Sequence, residues 1–188
     1  MNEKNSSYWY KRWTLIPLIF VLVLIGVFAK RLVDIDNNKP ASYIPTVLLN
    51  TLIPEINLDP LPNRGKGLNS EHLRKKLILL NFWGSWCGAC LIEHELLMEI
   101  KRKNIIPIHG IAWRDKPNES INWLKKYGDP YSLVGQDPES KAAIAFGVTG
   151  APETFMINEN GIIIHKHTGP ITEKVWLNNF LPLIREYK

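Results

Sequence analysis

Two cysteines, Cys87 and Cys90, stand two residues apart in the run Trp86-Cys87-Gly88-Ala89-Cys90. An apolar run, Leu77–Trp83, precedes them, and a segment with helical periodicity follows. The pair therefore sits where a buried strand gives way to a helix. At a helix N-terminus, unpaired N–H groups and the macrodipole favour a thiolate over a thiol. Cys87 is the expected nucleophile, with a depressed pKa. Cys90, one turn further in, faces Cys87 and can resolve a mixed disulfide by attacking its sulfur. The two residues between them set the redox poise. No cofactor is called for, because a Cys87–Cys90 disulfide is itself the redox group.

Other chemistries need other partners. Covalent c-type haem attachment needs histidine after the second cysteine, and that residue is Leu91. Cys87, Cys90 and His94 supply three metal ligands on one helix, with no second cluster to give a fourth. This leaves a Cys/His metal carrier as an alternative of a different class, although His94 lies on the helix flank and reads as a partly exposed surface residue. A purely structural disulfide gains little from so short a loop.

Glu93 is the next informative residue. At about 100° per residue, Glu93, Leu96, Leu97 and Ile100 share one face near Cys90, while Glu95, Glu99 and Arg102 form the opposite, solvated face. Burial raises a carboxyl pKa, and such a group could take the Cys90 proton when that thiol attacks. The competing reading is a glutamate at the helix boundary that reaches water. Gly150-Ala151-Pro152-Glu153 is the third feature. Proline is acceptable at the first residue of a strand. An ordinary trans bond there is the plain reading, whereas a cis Ala151–Pro152 bond would turn the Ala151 backbone towards the cysteines.

The elements that must position these residues alternate in type. Ser70 is expected to cap a short helix over Glu71–Lys76. Leu77–Trp83 and Ile105–Trp113 read as strands buried on both faces. Helices are expected over Cys87–Lys103, Asn118–Tyr127 and Pro138–Phe146, with a short strand at Tyr131–Val134. Glu153–Asn158 and Ile162–His167 flank an Asn160-Gly161 hairpin turn. Thr172–Tyr187 reads as a terminal helix kinked by Pro182. The pattern gives an α/β fold with a mixed sheet.

The formal charge of +5 is uneven, with a net +4 in residues 1–31. The rest of the chain is close to neutral and shows no basic face, which argues against nucleic-acid binding. Leu15–Ala29 carries no charge. With Trp13 and Thr14 it forms a 17-residue run, about 25 Å as a helix, short but within range for a membrane span. Tyr8, Trp9, Tyr10 and Trp13 sit at its start as interfacial rings. The expected organisation is a tail at 1–12, an anchor at 13–31, a proline-bearing tether at 32–45 and a folded domain at 46–188. A cleaved signal peptide ending at Ala29 is the competing reading. Three Lys/Arg on each flank leave the orientation undecided by charge.

The run Phe82-Trp83-Gly84-Ser85-Trp86-Cys87-Gly88-Ala89-Cys90 resembles a thioredoxin-fold active site. Gly147-Val148-Thr149-Gly150-Ala151-Pro152-Glu153-Thr154-Phe155 resembles the cis-proline segment of the DsbE/CcmG family, the membrane-anchored thiol:disulfide interchange proteins of cytochrome c maturation. The resemblance runs from about residue 40 to the C-terminus. It implies a thioredoxin-like fold, a mixed central sheet flanked by helices, with one N-terminal transmembrane helix and the domain on the periplasmic side of the inner membrane. It implies reduction of disulfides in apocytochrome c or a maturation partner, and recharging by a DsbD-type membrane thiol-transfer protein. By position it implies Cys87 as nucleophile, Cys90 as resolving thiol, Pro152 as cis-proline, and Glu93 and Glu153 as acidic residues near the site. Trp86, Ala151, Pro152 and Glu153 are the expected substrate-facing group. Many members carry proline between the cysteines, where this chain has Gly88-Ala89. A broader-specificity anchored thioredoxin fits the same motifs.

Overall fold

The structure is a computed structural model that describes residues 16–36 and 48–187. The expected tail at 1–12, the first residues of the anchor and the tether from 37 onwards lie outside the described residues. The chain divides into two units between Pro45 and Thr46, and each is taken by itself.

The first unit contains helix α1, Ile16–Asp36. Its described side chains, from Ile16 to Lys30, are all exposed. Among the described residues, no helix is long and apolar enough to cross a membrane. The uncharged part of α1, Ile16–Ala29, has 14 residues, about 21 Å of rise against a hydrocarbon core of about 30 Å. Trp13, Thr14 and Leu15, which lengthened the expected span, are outside the described residues. The helix continues past Lys30 and Arg31 to Asp36, so the residues expected to begin a tether at 32 are helical.

The second unit is built on a five-stranded mixed sheet. Its strands are β3 (Ile78–Trp83), β4 (Ile108–Trp113), β5 (Leu133–Asp137), β6 (Glu153–Ile157) and β7 (Ile163–Thr168), in the order β5-β4-β3-β6-β7. β4 runs parallel to β3 and β5, while β6 is antiparallel to β3 and β7. A small hairpin, β1 (Asn57–Leu58) and β2 (Leu68–Asn69), precedes the sheet. The helices are α2 (Gly88–Arg102), α3 (Pro117–Tyr127), α4 (Lys141–Ala145) and α5, which runs as Glu173–Val175, a π-helical Trp176–Phe180 and Leu181–Tyr187. This is the thioredoxin-like α/β arrangement.

The period of two in β3 divides the core. Leu79, Asn81 and Trp83 point to one face, and Ile78, Leu80 and Phe82 to the other. The first face packs with Leu97, Ile100, Trp123, Met156 and Phe180 in a cluster that also holds both cysteines. The second packs with Ile111, Phe146, Phe155 and Ile163. Because both faces are covered, β3 reads as an almost unbroken apolar run.

Three local expectations are corrected. The segment after β2 is a single 3-10 turn, Ser70–Leu73, not a helix over Glu71–Lys76. Asn69 caps it, with its side chain accepting from the His72 N–H. Ser70 is buried instead, its hydroxyl accepting the Ile56 N–H at 2.7 Å. α4 starts only at Lys141, because the Asp137 carboxylate takes the Ala142 and Ala143 N–H groups (3.2 and 2.8 Å) and so fixes the first turn. The fifth strand lies at Leu133–Asp137, later than Tyr131–Val134. At the C-terminus the π-helical stretch, with Leu181 N–H bonded to Trp176 O, sits just before Pro182. Proline has no N–H for the preceding turn and its ring crowds the carbonyl four residues back, which the wider turn accommodates.

Two histidines are placed neutral inside this fold. Burial pushes His109 on β4 and His165 on β7 down to about 4. An unfolded chain protonates both near 6.5, so between about 6.5 and 4 it binds protons that the folded chain refuses. Stability therefore falls as pH falls through that window. We expect His165→Leu to lose less stability between pH 7 and 5 than the unmodified chain, by on the order of 1 kcal/mol, read from denaturant unfolding. An equal loss in both would show that His165 is not held neutral.

Candidate active site

The loop from β3 into α2 is fixed from several sides. Asp115 accepts the Ser85 N–H and the Ser85 hydroxyl, each at 2.7 Å, and the Ser120 hydroxyl at 2.6 Å. The Trp86 indole N–H donates to Trp113 O at 3.1 Å, and its ring lies over Gly84. A Cβ at residue 84 would come within 2.5 Å of that indole nitrogen, so the close approach needs glycine. Trp86 remains 53% exposed beside the cysteines.

Cys87 occupies the N-cap of α2 and is disulfide-bonded to Cys90. Its sulfur accepts the Cys90 N–H at 3.1 Å. In the dithiol form the same N–H is positioned to stabilise a Cys87 thiolate, as the helix terminus does. Cys87 is 5% and Cys90 2% exposed.

α2 turns Glu93 into the protein, at 1% exposure. Its Oε1 accepts from Asn81 Nδ2 at 2.8 Å and its Oε2 from the Ile171 N–H at 2.8 Å. Asn81 also donates to Thr154 Oγ1 (2.9 Å) and accepts from the Tyr131 hydroxyl (2.8 Å). Burial raises the Glu93 carboxyl to about 7, against the opposing pull of the Ile171 and Asn81 hydrogen bonds. Glu93 lies three residues after Cys90, on the same side of the helix. Its two hydrogen-bond partners are both donors, so a proton arriving on the carboxylate must use a remaining lone pair and is not shared with them.

The Ala151–Pro152 bond is cis. Pro152 is buried, and Ala151, half-buried, packs against the cluster that contains Cys87 and Cys90. Glu153 does not belong to a substrate-facing group. It is 0% exposed, with Oε1 accepting the Thr149 N–H and hydroxyl at 3.0 and 2.6 Å, and Oε2 paired with Lys166 Nζ at 2.9 Å. Lys166 also donates to Gly147 O at 2.8 Å. The pair thus closes the 147–153 loop on itself and holds Ala151 and Pro152 in place. Sequence reading put Glu153 near the site by resemblance; the expected hairpin brings Lys166 onto the strand beside it, but the pairing itself was not assigned.

His94 is also corrected. It is 4% exposed, not on the surface, because its flank of α2 packs edge-on against Trp123 at 4.4 Å. Its Nε2 lies 3.2 and 3.1 Å from the Tyr127 and Gly128 carbonyls at the end of α3, and burial lowers its pKa. That engagement turns it away from the cysteines, and among the described residues no three or more His, Cys, Asp or Glu side chains are grouped to hold a metal ion. Asn81, Tyr131, Thr154 and the Ile171 N–H are the members of the site that sequence reading did not assign. Only Asn81 left a signal, as the one polar residue in the Leu77–Trp83 run.

Residues 49–180 match the Redoxin family model. The chain is 38% identical over 174 residues to the thiol:disulfide interchange protein DsbE of Allochromatium vinosum, covering 93% of each. It is 33% identical to the protein of that name from Escherichia coli, covering 92% of this chain and 94% of that one. It is 34% identical to the thiol:disulfide interchange protein HelX of Rhodobacter capsulatus, over 89% of this chain and 96% of that one. Among solved structures, a secreted thiol-disulfide isomerase from Corynebacterium glutamicum superposes with a TM-score of 0.60 at 24% identity, over 71% of this chain and 85% of that one. The thioredoxin domain of a thiol-disulfide oxidoreductase from Bacteroides vulgatus gives 0.61 at 14% identity, over 74% and 98%. At those identities the structures speak for the fold alone.

The Glu153–Lys166 pair yields a stability test. Lys166→Met leaves a carboxylate at 0% exposure without its cation and should cost about 3 kcal/mol. Adding Glu153→Gln should recover most of that loss in denaturant unfolding. No recovery would mean that the lysine stabilises through packing alone.

Proposed function

The chain belongs to the Redoxin family and, within it, to the DsbE/CcmG thiol:disulfide interchange proteins, and from that premise we propose that it reduces disulfides of apocytochrome c or of a partner in cytochrome c maturation. The chain is a thiol–disulfide oxidoreductase. The observation that carries the mechanistic reading is Cys87 at the N-cap of α2, bonded to Cys90, with a buried Glu93 one turn further along.

In the reducing direction, the Cys87 thiolate attacks one sulfur of a substrate disulfide. A Cys87–substrate disulfide forms and the other substrate sulfur leaves as thiolate. Cys90 then gives its proton to the Glu93 carboxylate and attacks the Cys87 sulfur. The intramolecular disulfide closes, the second substrate sulfur leaves as thiolate, and two electrons have passed from protein to substrate. The two thiolates take up protons from solvent or from Glu93. At a pKa of about 7, Glu93 is partly ionised at neutral pH, which suits a group that must both accept and return a proton. The exposed Trp86 ring and the Ala151–Pro152 backbone are the surfaces that a substrate segment meets beside Cys87.

A single N-terminal anchor in the inner membrane, with the domain on the periplasmic side, fits this role. In its support, apolar residues of α1 such as Ile19, Phe20, Leu22, Val27 and Phe28 are all exposed, as on a helix that is apolar all round. An oxidising compartment gives a recycled disulfide its use. Return to the dithiol would come from a membrane thiol-transfer protein of the DsbD type. A broader anchored thioredoxin shares every one of these features and differs only in substrate.

Cys87→Ser should abolish disulfide exchange, while Cys90→Ser should accumulate a mixed disulfide whose partner mass spectrometry identifies. A partner that carries haem-attachment cysteines supports the cytochrome reading, and unrelated secreted proteins would replace it with the broader one. Glu93→Gln should slow resolution roughly 100-fold and leave first attack nearly unchanged, read by rapid-mixing kinetics. Equal rates for both steps would remove Glu93 from the mechanism.

A further inference from the structure

We propose that Tyr131 is a positioning residue for the resolving step: its hydroxyl fixes the Asn81 side chain so that the amide N–H, and not the carbonyl, faces Glu93. The inference rests on the reading of Glu93 as proton acceptor and adds to it the group that orients it.

An asparagine amide has a donor end and an acceptor end, and its neighbours decide which points where. Around Asn81, the Thr154 hydroxyl can donate or accept, so it does not choose between the two orientations. The Tyr131 hydroxyl has the same two capacities, but it is placed donating to Asn81 Oδ1, and that bond holds the orientation in which Nδ2 faces Glu93. The hydroxyl lies 2.8 Å from Asn81 Oδ1 in a fully buried position, where an unpaired O–H would carry a desolvation cost. Burial also raises the Tyr131 pKa well above the ordinary phenol range, so the group stays a donor at any working pH. With Oδ1 held by that donor, Nδ2 is left to Glu93 Oε1 at 2.8 Å.

Tyr131 is itself held on every side. Its ring stacks on Trp83 at 5.4 Å. Gly110 makes room for both rings, since a Cβ there would lie 2.8 Å from the Trp83 indole nitrogen and 2.9 Å from Tyr131 Cγ. Its N–H donates to Asp129 Oδ1 (3.0 Å) and its carbonyl accepts from Arg64 (3.2 Å), which is ion-paired with Asp129. The chain Arg64–Asp129–Tyr131–Asn81–Glu93 therefore runs from the loop between β1 and β2 to the redox helix.

Few other groups can set the Glu93 titration. β3 presents the uncharged Asn81, β6 presents Thr154 behind it, and the segment before α5 presents the Ile171 N–H. Glu153 on β6 is tied to Thr149 and Lys166. On α2 itself His94 faces the α3 carbonyls, which leaves, among the described residues, the Tyr131 phenol and, in the reduced chain, the Cys87 and Cys90 thiols as titratable neighbours.

The test uses the reduced full chain mixed rapidly with dithiobis-nitrobenzoate, whose two coloured thiolates report first attack and then resolution. In the unmodified chain the resolution phase should rise with pH through a midpoint near 7, and Glu93→Gln should lose that limb. Tyr131→Phe keeps the ring and its stacking. It should move the limb up by about 0.5–1 pH unit, the worth of one neutral hydrogen bond, with first attack unchanged. Asn81→Ser should move it in the same direction, and the double variant no further than Asn81→Ser alone. If Tyr131→Phe superposes on the unmodified chain while Glu93→Gln has lost the limb, the role of Tyr131 is overturned and that of Glu93 stands. If the limb persists in Glu93→Gln, the reading of Glu93 falls and this inference with it. Should Tyr131→Phe fold poorly, an unmoved limb in Asn81→Ser still overturns the inference, because Tyr131 reaches Glu93 only through Asn81.

Discussion

A glutamate kept out of water one turn from a redox disulfide is the constraint around which the domain is arranged. An isolated buried carboxylate is costly, and the group responds by raising its pKa until the neutral form competes. Two N–H donors, from Asn81 and Ile171, hold that rise to about 7. With fewer donors the group would stay protonated and could not receive a proton at neutral pH. With water around it, the group would ionise at ordinary carboxylate values and be too weak a base for a thiol.

The rest of the fold supplies those two donors and keeps solvent away. The alternation of β3 places Asn81 on the same face as Leu79 and Trp83, against α2. The central position of β3 in the order β5-β4-β3-β6-β7 shields that amide from both sides. The second donor comes from the chain just before α5, so the C-terminal helix must dock for the site to be complete. At the helix terminus the chemistry is different. There the Asp115 clamp on Ser85 and the Trp86–Trp113 contact place Cys87 at the N-cap, where the thiolate gains from the same dipole that orients the helix. The buried Glu153–Lys166 pair holds the cis-proline loop as a third, separately secured piece.

Features encoded by side-chain type at short range were legible in the sequence. The strand–helix junction at the cysteines and the mixed α/β pattern follow from periods of 2 and 3.6, and the Asn160-Gly161 hairpin from its turn residues; the helix wheel put Glu93 on the apolar side but left a glutamate reaching water equally open. What failed depended on tertiary neighbours. His94 looked like a flank residue because nothing local shows that Trp123 and the end of α3 cover that flank. Ser70 resembled a cap, yet Asn69 one residue earlier took that role and freed Ser70 for the Ile56 N–H. α4, by contrast, began late for a local reason: the Asp137 carboxylate, just before the expected start, takes the Ala142 and Ala143 N–H groups and sets the first turn there. The Ile171 donor was invisible in principle, since a backbone N–H is the same at every residue but proline. Asn81 was visible as the polar break in an apolar strand, and its purpose emerged only with Glu93, Tyr131 and Thr154 around it.

The central claim is that Glu93 exchanges a proton near neutral pH inside the folded chain, and its most direct test is infrared difference spectroscopy of the oxidised protein across a pH titration, with Glu93→Gln as the reference. The account predicts a protonated-carboxyl band that disappears with a midpoint near 7 and is absent from the variant. A Glu93 band that is already lost at about pH 4–5, the range of a solvated glutamate, would contradict it.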